Sequence, residues 1–281
     1  IMIGGAFVGV YFIYLMQLAN TSLNPQLLLI LSLIVAGVFG ALLSLLHAFA
    51  AINLKADQTI SGTAINMLAP GLGLFLAKLI FNGNSSVPFS NTFRIHEIPV
   101  LSQIPILGPI LFKGAYITTY LGIIILILSV IFLNKTRAGL RLRACGENPQ
   151  AADAAGVSVY KYRYIGVLLS GFLGGMGGLI YIIPISTVFN SDVGGYGFLA
   201  LAILIFGNWQ PYRIAAASLF FGIMKTLAYT YTAIPFLSAL GFPSVVYKLI
   251  PYVATLILLA FTSKNSAAPK ASGIPYDKSK R

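Results

Sequence analysis

Residues 26–49 read Gln26-Leu-Leu-Leu-Ile-Leu-Ser-Leu-Ile-Val-Ala-Gly-Val-Phe-Gly-Ala-Leu-Leu-Ser-Leu-Leu-His-Ala-Phe49, without one Asp, Glu, Lys or Arg. A bilayer core about 30 Å thick needs roughly 20 apolar helical residues, with about 17–25 as the working range. The stretch therefore reads as a membrane span. Similar runs lie at 1–18, 60–81, 115–133, 164–183, 214–232 and 245–262, and a shorter one at 196–207 follows the flexible Gly194-Gly195-Tyr196-Gly197. The expected fold is all-α and polytopic, with about eight transmembrane helices in this chain, the one at 196–207 being short or broken.

Composition excludes several other classes. The chain is 58% hydrophobic and 9% charged, with a mean hydropathy of +0.88, whereas a soluble domain carries about 25% charged residues. Cys145 is the one cysteine, so no intramolecular disulfide is available, and His47 and His96 lie too far apart in sequence to suggest a metal centre. The net charge of +12 would point to nucleic acid in a soluble protein; in a membrane protein it asks on which side the charges fall, and no nucleic-acid partner is expected. The chain opens at Ile1 inside an apolar run, without a basic n-region or cleavage site. It is therefore not read as a signal peptide, and the true beginning is expected to be missing.

Sidedness follows from Lys and Arg near the span ends. Lys135, Arg137, Arg141, Arg143, Lys161 and Arg163 fall in 134–163, and Lys264, Lys270, Lys278, Lys280 and Arg281 in the tail, so both segments are expected in the cytoplasm. An even number of crossings between them requires the run at 196–207 to cross. Counting backwards places 82–114 outside and 50–59 inside, leaving only Arg94 and Lys113 as outer cations, with Lys78, Lys225 and Lys248 in or near spans. Residues 1–263 thus form a single transmembrane domain with a cytoplasmic loop at 134–163 and an extracytoplasmic segment at 82–114. That outer segment, broken by Pro88, Pro99, Pro105 and Pro109, is expected to form short interfacial pieces. The basic tail, 264–281, is expected to be disordered.

Catalytic chemistry is sparse. Gly222-Ile-Met-Lys225-Thr226 lacks the glycine spacing of a phosphate-binding loop, so the chain is not expected to hydrolyse ATP itself. All six carboxylates fall in loops or at span edges, which disfavours proton coupling. No catalytic constellation and no metal site is identified.

The strongest local signal is Arg143-Ala-Cys-Gly-Glu147-Asn148-Pro149-Gln150-Ala151-Ala152-Asp153-Ala-Ala-Gly156-Val157. Asn148 suits an N-cap, Pro149 the first helical position and Gly156 a C-terminal stop. The pattern predicts a short helix over 148–155 outside the membrane. Mostly alanine and too short to stand alone, it needs something to pack against; a connector lying on lipid headgroups is the plainer alternative. The next span carries Gly166, Ser170, Gly174 and Gly178 at intervals of four, with Gly171 and Gly175 as a second row. Small residues so spaced allow close helix packing in lipid, which is read as their role ahead of substrate contact. Gln58, Thr59, Ser61 and Asn66 make one span end polar; they either line a translocation path or hydrogen-bond between helices. Lys225, in mid-span, is open to the same two readings.

Residues 143–157 with the glycine-rich helix after them resemble the inner-membrane permeases of bacterial ABC importers for simple sugars and nucleosides. Gln58-Thr-Ile-Ser-Gly-Thr-Ala-Ile-Asn66, Leu101-Ser-Gln-Ile-Pro-Ile-Leu-Gly108 and Gly197-Phe-Leu-Ala-Leu-Ala-Ile-Leu-Ile-Phe-Gly207 resemble the nucleoside branch. The resemblance implies a transport subunit, not an enzyme, in the bacterial cytoplasmic membrane, importing nucleosides or a related pentose-containing solute by alternating access. It implies that ATP and Mg are bound on a separate cytoplasmic ABC ATPase, which would seat Glu147, Asn148, Pro149, Ala151, Ala152, Asp153 and Gly156 as a coupling helix. It also implies a second, related permease chain and an extracytoplasmic substrate-binding protein, often a lipoprotein. Family members carry a further span and a Gly-Leu-Glu-Gly-like stretch before the position of Ile1. An ion-coupled secondary transporter built on broken helices is the alternative.

Overall fold

The structure, a computed structural model, describes residues 1–21, 23–97, 101–105, 108, 112–243, 245–247, 249–251, 253, 256 and 268–278. The helices are α1 (Met2–Leu18), α2 (Pro25–Ala48, continued by a π-helical turn Phe49–Asn53), α3 (Gln58–Ile80), α4 (Ile117–Lys135), α5 (Arg137–Glu147), α6 (Pro149–Ala154), α7 (Val159–Ile185), α8 (Tyr196–Phe206), α9 (Pro211–Thr230) and α10 (Pro235–Ala239). Among the described residues five of them, α2 with its π turn, α3, α4, α7 and α9 with the turn after it, are long and apolar enough to cross a membrane. Met2–Leu18 and Tyr196–Phe206 are apolar but shorter. The span expected at 245–262 lies mostly outside the described residues, as does Lys248.

The chain is not purely helical. β1 (Val87–Pro88) pairs antiparallel with β4 (Val188–Phe189), and β2 (Arg94–Glu97) with β3 (Lys113–Tyr116). Among the described residues of 82–116, Val87–Pro88, Arg94–Glu97 and Lys113–Tyr116 are extended and find partners in short ladders, and Leu101–Gln103 makes a 3-10 turn. These strands gather at one end of the bundle, where amides fasten them to the helices. Gln17, at the end of α1, donates to the Ser90 carbonyl (2.8 Å) and accepts from its N–H (2.9 Å). Gln26, opening α2, donates to the Phe93 carbonyl at 2.9 Å. Asn91 donates to the Ile183 carbonyl of α7 at 2.6 Å.

The core is the bundle of α1, α2 and α7, which buries Phe7, Val10, Ile13, Leu29, Leu33, Leu179 and Ile183 almost completely. Outside this bundle, α4 carries apolar side chains on its exposed surface. On α4, Ile127 is 52% and Leu128 57% exposed, a surface unsuited to water and suited to lipid or another helix.

Candidate functional site

At the end of the bundle opposite the strands, the chain builds a layer from α5, α6 and the start of α7. Thr136 turns α4 into α5 by donating to the Phe132 carbonyl (2.6 Å) and accepting the Gly139 N–H (3.0 Å). A Cβ at Gly139 would strike the Phe132 carbonyl and lie 2.8 Å from the Leu133 Cα, so the tight turn requires glycine there. The separation of α5 from α4 was not legible in the sequence, where no proline interrupts 134–147.

The predicted short helix is present as α6. Asn148 caps it, its side-chain oxygen accepting the Ala151 N–H at 3.0 Å, and Pro149 follows at the first helical position. At the far end Gly156 adopts φ +77°. The Val157 N–H reaches the Ala152 carbonyl (3.0 Å) and the Gly156 N–H the Asp153 carbonyl (2.9 Å), the paired bonds that close a helix on a left-handed glycine.

The orientation of α6 divides the expected contact residues. Glu147, Asn148, Gln150, Ala151, Ala154, Ala155 and Gly156 face outward, with Asp153 partly covered. Pro149 and Ala152 face inward; Ala152 is 4% exposed and packs in a cluster with Cys145 of α5 and Val159 of α7. Ala152 and Pro149 therefore seat the helix on its own chain and do not form its outer surface. Composition alone could not distinguish Ala151 from Ala152, because the alanines lie side by side in sequence and only packing chooses between them.

The two glycine rows on α7 separate in the same way. Gly171 and Gly175 meet α2, where Ala36, Gly40 and Ser44 form a matching row four residues apart. A Cβ on Gly175 would strike the Ala36 carbonyl and come within 3.0 Å of the Gly40 Cα, and one on Gly171 would strike Ser44. Gly178 abuts the Met2 backbone of α1. Gly174, in contrast, would place a Cβ 3.5 Å from the Ile1 side chain, ordinary van der Waals contact, and Gly166 faces only the Leu142 side chain at 3.1 Å. Ser170 is exposed. The close crossing thus runs along the second row.

Gln58, Thr59, Ser61 and Asn66 do not share one environment. Asp57 caps α3 by accepting the N–H groups of Thr59 (2.7 Å) and Ile60 (3.0 Å), and these bonds hold its carboxyl below its ordinary pKa. Ser61 is hydrogen-bonded to His47 of α2 at 3.0 Å. Gln58 lines a cavity of about 500 Å³ beside His47 and Arg163. Thr59 and Asn66 are exposed, away from the Ile65, Ala69, Gly73 and Ala77 face that packs on the bundle. Lys225 lies on α9, its ammonium 3.7 Å from the Tyr196 ring centroid of α8, within cation–π range.

Residues 268–278 do not extend freely but lie against α5, α6 and α7, with Tyr276 5% exposed in the cluster of Cys145, Ala152 and Val159. Tyr276, the only aromatic residue of 264–281, finds an apolar seat there, and Asp277 is that stretch's only acidic residue. Burial also pushes the Cys145 thiol pKa up. Among the described residues, no group of three or more His, Cys, Asp or Glu side chains gathers to hold a metal ion.

Several apolar helices of bilayer length, crossing on backbone at a row of glycines, define a multi-pass helical membrane protein. The chain belongs to the family described as the branched-chain amino acid transport system / permease component, which it matches over residues 1–260. It is similar to the guanosine ABC transporter permease protein NupQ of Bacillus subtilis, with 43% identity over 100% of this chain and 86% of the relative. The nucleoside ABC transporter permease protein NupC of Lactococcus lactis matches at 43% over the same shares of both chains. NupB of the same organism, also a nucleoside ABC transporter permease protein, matches at 24% over 88% of this chain and 69% of its own length. No solved structure matches.

Proposed function

We propose that this chain is the membrane-spanning permease subunit of an ABC importer that moves nucleosides into the cell, powered by ATP hydrolysis on a separate subunit. The observation that carries the reading is its full-length similarity to two permeases named for guanosine and nucleoside transport. The geometry of α6 supplies the mechanical half. A capped helix held out from the bundle, with small side chains on its outer face, leaves room for another subunit to close around it.

The α6 end is the cytoplasmic one, since Arg137, Arg141, Arg143, Lys161 and Arg163 cluster there while Arg94 and Lys113 mark the strand end. On this reading the ATPase grips Glu147, Asn148, Ala151, Asp153 and Gly156. Closure of the ATPase pair on ATP draws α6 inward, and α7, which starts at Val159 just after α6, moves with it. Because α7 crosses α2 on the Gly171/Gly175 row, the displacement passes to the central bundle as a rigid shift, which gates the path. Thr59, Asn66 and Lys225 lie on helices outside the sealed core and are the polar groups offered to that path. NupB and NupC occur as two different permeases in one organism, which supports a heterodimeric pair. A substrate-binding protein delivers its cargo at the strand end.

The test is uptake of labelled guanosine by vesicles holding the reconstituted complex. Uptake is expected only with the ATPase subunit, loaded binding protein and ATP, and Ala151→Arg is expected to abolish ATPase association while the chain still inserts. Uptake driven by an ion gradient, with the ATPase absent, overturns the reading in favour of a secondary transporter.

A further inference from the structure

The fold of residues 268–278 does more than fill a gap. The Ala271 N–H donates to the Gly146 carbonyl at 2.9 Å, satisfying one of the carbonyls that the end of α5 leaves open. Arg163 of α7 donates to the Ile274 carbonyl at 3.1 Å, and its guanidinium lies 6.0 Å from the Tyr276 ring centroid. Tyr276 meets Tyr160 edge to face, centroids 5.5 Å apart, and shares one buried cluster with Cys145, Ala152 and Val159. Asp277 then pairs with Lys55 at 3.1 Å, on the connection between α2 and α3. One strap therefore touches four parts of the chain that would have to move together if α6 is displaced.

Behind the strap the packing is incomplete. The cavity of about 500 Å³ is lined on one side by His47, Gln58 and Leu142 and on the other by Pro269 and Ser272 of the strap. The layer is thus bridged across a hollow, and its relative positions depend on the bridge more than on a solid core. Within the bridge the Tyr276 ring dominates, because the Lys55–Asp277 pair is 47% and 27% exposed and contributes little in water.

From this geometry we infer that Tyr276 is a positioning residue for energy coupling: by pinning α6 to α5 and α7, and through Asp277 to the α2–α3 connection, it makes a pull on α6 move the polar start of α3 as well. The inference rests on the reading of α6 as the seat of the ATPase. The strap supplies none of the polar groups assigned above to the solute path, so its loss is expected to separate hydrolysis from transport instead of abolishing hydrolysis.

The experiment uses the full reconstituted complex with wild type, Tyr276→Ala, Tyr276→Phe and Ala151→Arg, measuring guanosine transported per ATP, stimulation of the ATPase by loaded binding protein, and the rate of Cys145 modification by a maleimide. Tyr276→Ala is expected to assemble with wild-type basal ATPase, to lose tenfold or more in transport per ATP, and to expose Cys145 to faster labelling. Tyr276→Phe, which keeps the ring, is expected to restore coupling. Faster Cys145 labelling with unchanged transport per ATP overturns the inference, since the strap is then released without consequence. So does a Tyr276→Ala complex whose abundance and thermal stability fall while the surviving molecules couple normally. Should Tyr276→Ala not assemble, Tyr276→Leu decides: it keeps an apolar side chain but removes the ring's contacts with Tyr160 and Arg163, and wild-type coupling in that variant overturns the inference. Normal ATPase association in Ala151→Arg would instead overturn the seating of the ATPase on α6, so the two failures are distinguishable.

Discussion

Substituting Gly175 by alanine adds a single methyl group at the point where α7 crosses α2. Its Cβ would strike the Ala36 carbonyl and stand 3.0 Å from the Gly40 Cα and 3.1 Å from the Ala36 carbonyl carbon. All three are backbone atoms, which cannot rotate away. Carbon atoms rest at about 3.5–4.0 Å, so the helices must part by roughly 0.5–1 Å, and a gap of that size forfeits about a quarter to a half of each dispersion contact along the crossing. Overpacking of this kind costs about 1–3 kcal/mol, and the backbone contacts place Gly175→Ala in the upper half, about 2–3 kcal/mol. At 1.4 kcal/mol per tenfold, the folded-to-unfolded ratio should fall by roughly 30- to 150-fold. The control is Gly174→Ala one position away, whose Cβ meets only Ile1 at 3.5 Å; it is expected to be neutral. Thermal unfolding of the purified complex in detergent, followed by loss of α2–α7 cross-linking, would show the difference. Equal stability of the two variants would refute the assignment of the second glycine row to the crossing.

Ala152→Arg should fail differently from Ala151→Arg. Ala152 is 4% exposed against Cys145 and Val159, so a guanidinium there should unseat α6 and raise proteolysis at 148–157, whereas Ala151→Arg should leave that pattern unchanged and block only the ATPase. Asn148→Ala removes the cap on the Ala151 N–H and is expected to weaken α6 by about 1 kcal/mol, read as faster amide exchange in Ala151 and its neighbours with the membrane helices unaffected. Gln17→Leu breaks both bonds to Ser90; hydrogen exchange at Ser90 should rise while exchange at Ala152 stays constant, and equal change at both ends would contradict their independence.

Much of this architecture was legible in the residues. A helix in lipid must satisfy its backbone internally and present apolar side chains, so 26–49 or 115–133 announces a span without reference to any neighbour. The ends of α6 are equally local: Asn148, Pro149 and Gly156 each act on backbone within a few residues of themselves. Within 82–114 the prolines made the interruptions legible but not the pairing, because that of Val87 with Phe189 joins positions about a hundred residues apart.

The sequence by itself determined that the chain crosses a membrane and where a short capped helix forms, since both follow from side-chain polarity and near-neighbour hydrogen bonding. Tertiary structure alone decided which of two adjacent glycine rows carries the crossing and which alanine faces out. At 3.6 residues per turn, neighbours such as Gly174 and Gly175 point about 100° apart, and only the backbone of α2 selects one of them. It also decided that Tyr276 closes over α6, for a ring is buried only where distant segments have already assembled a place for it.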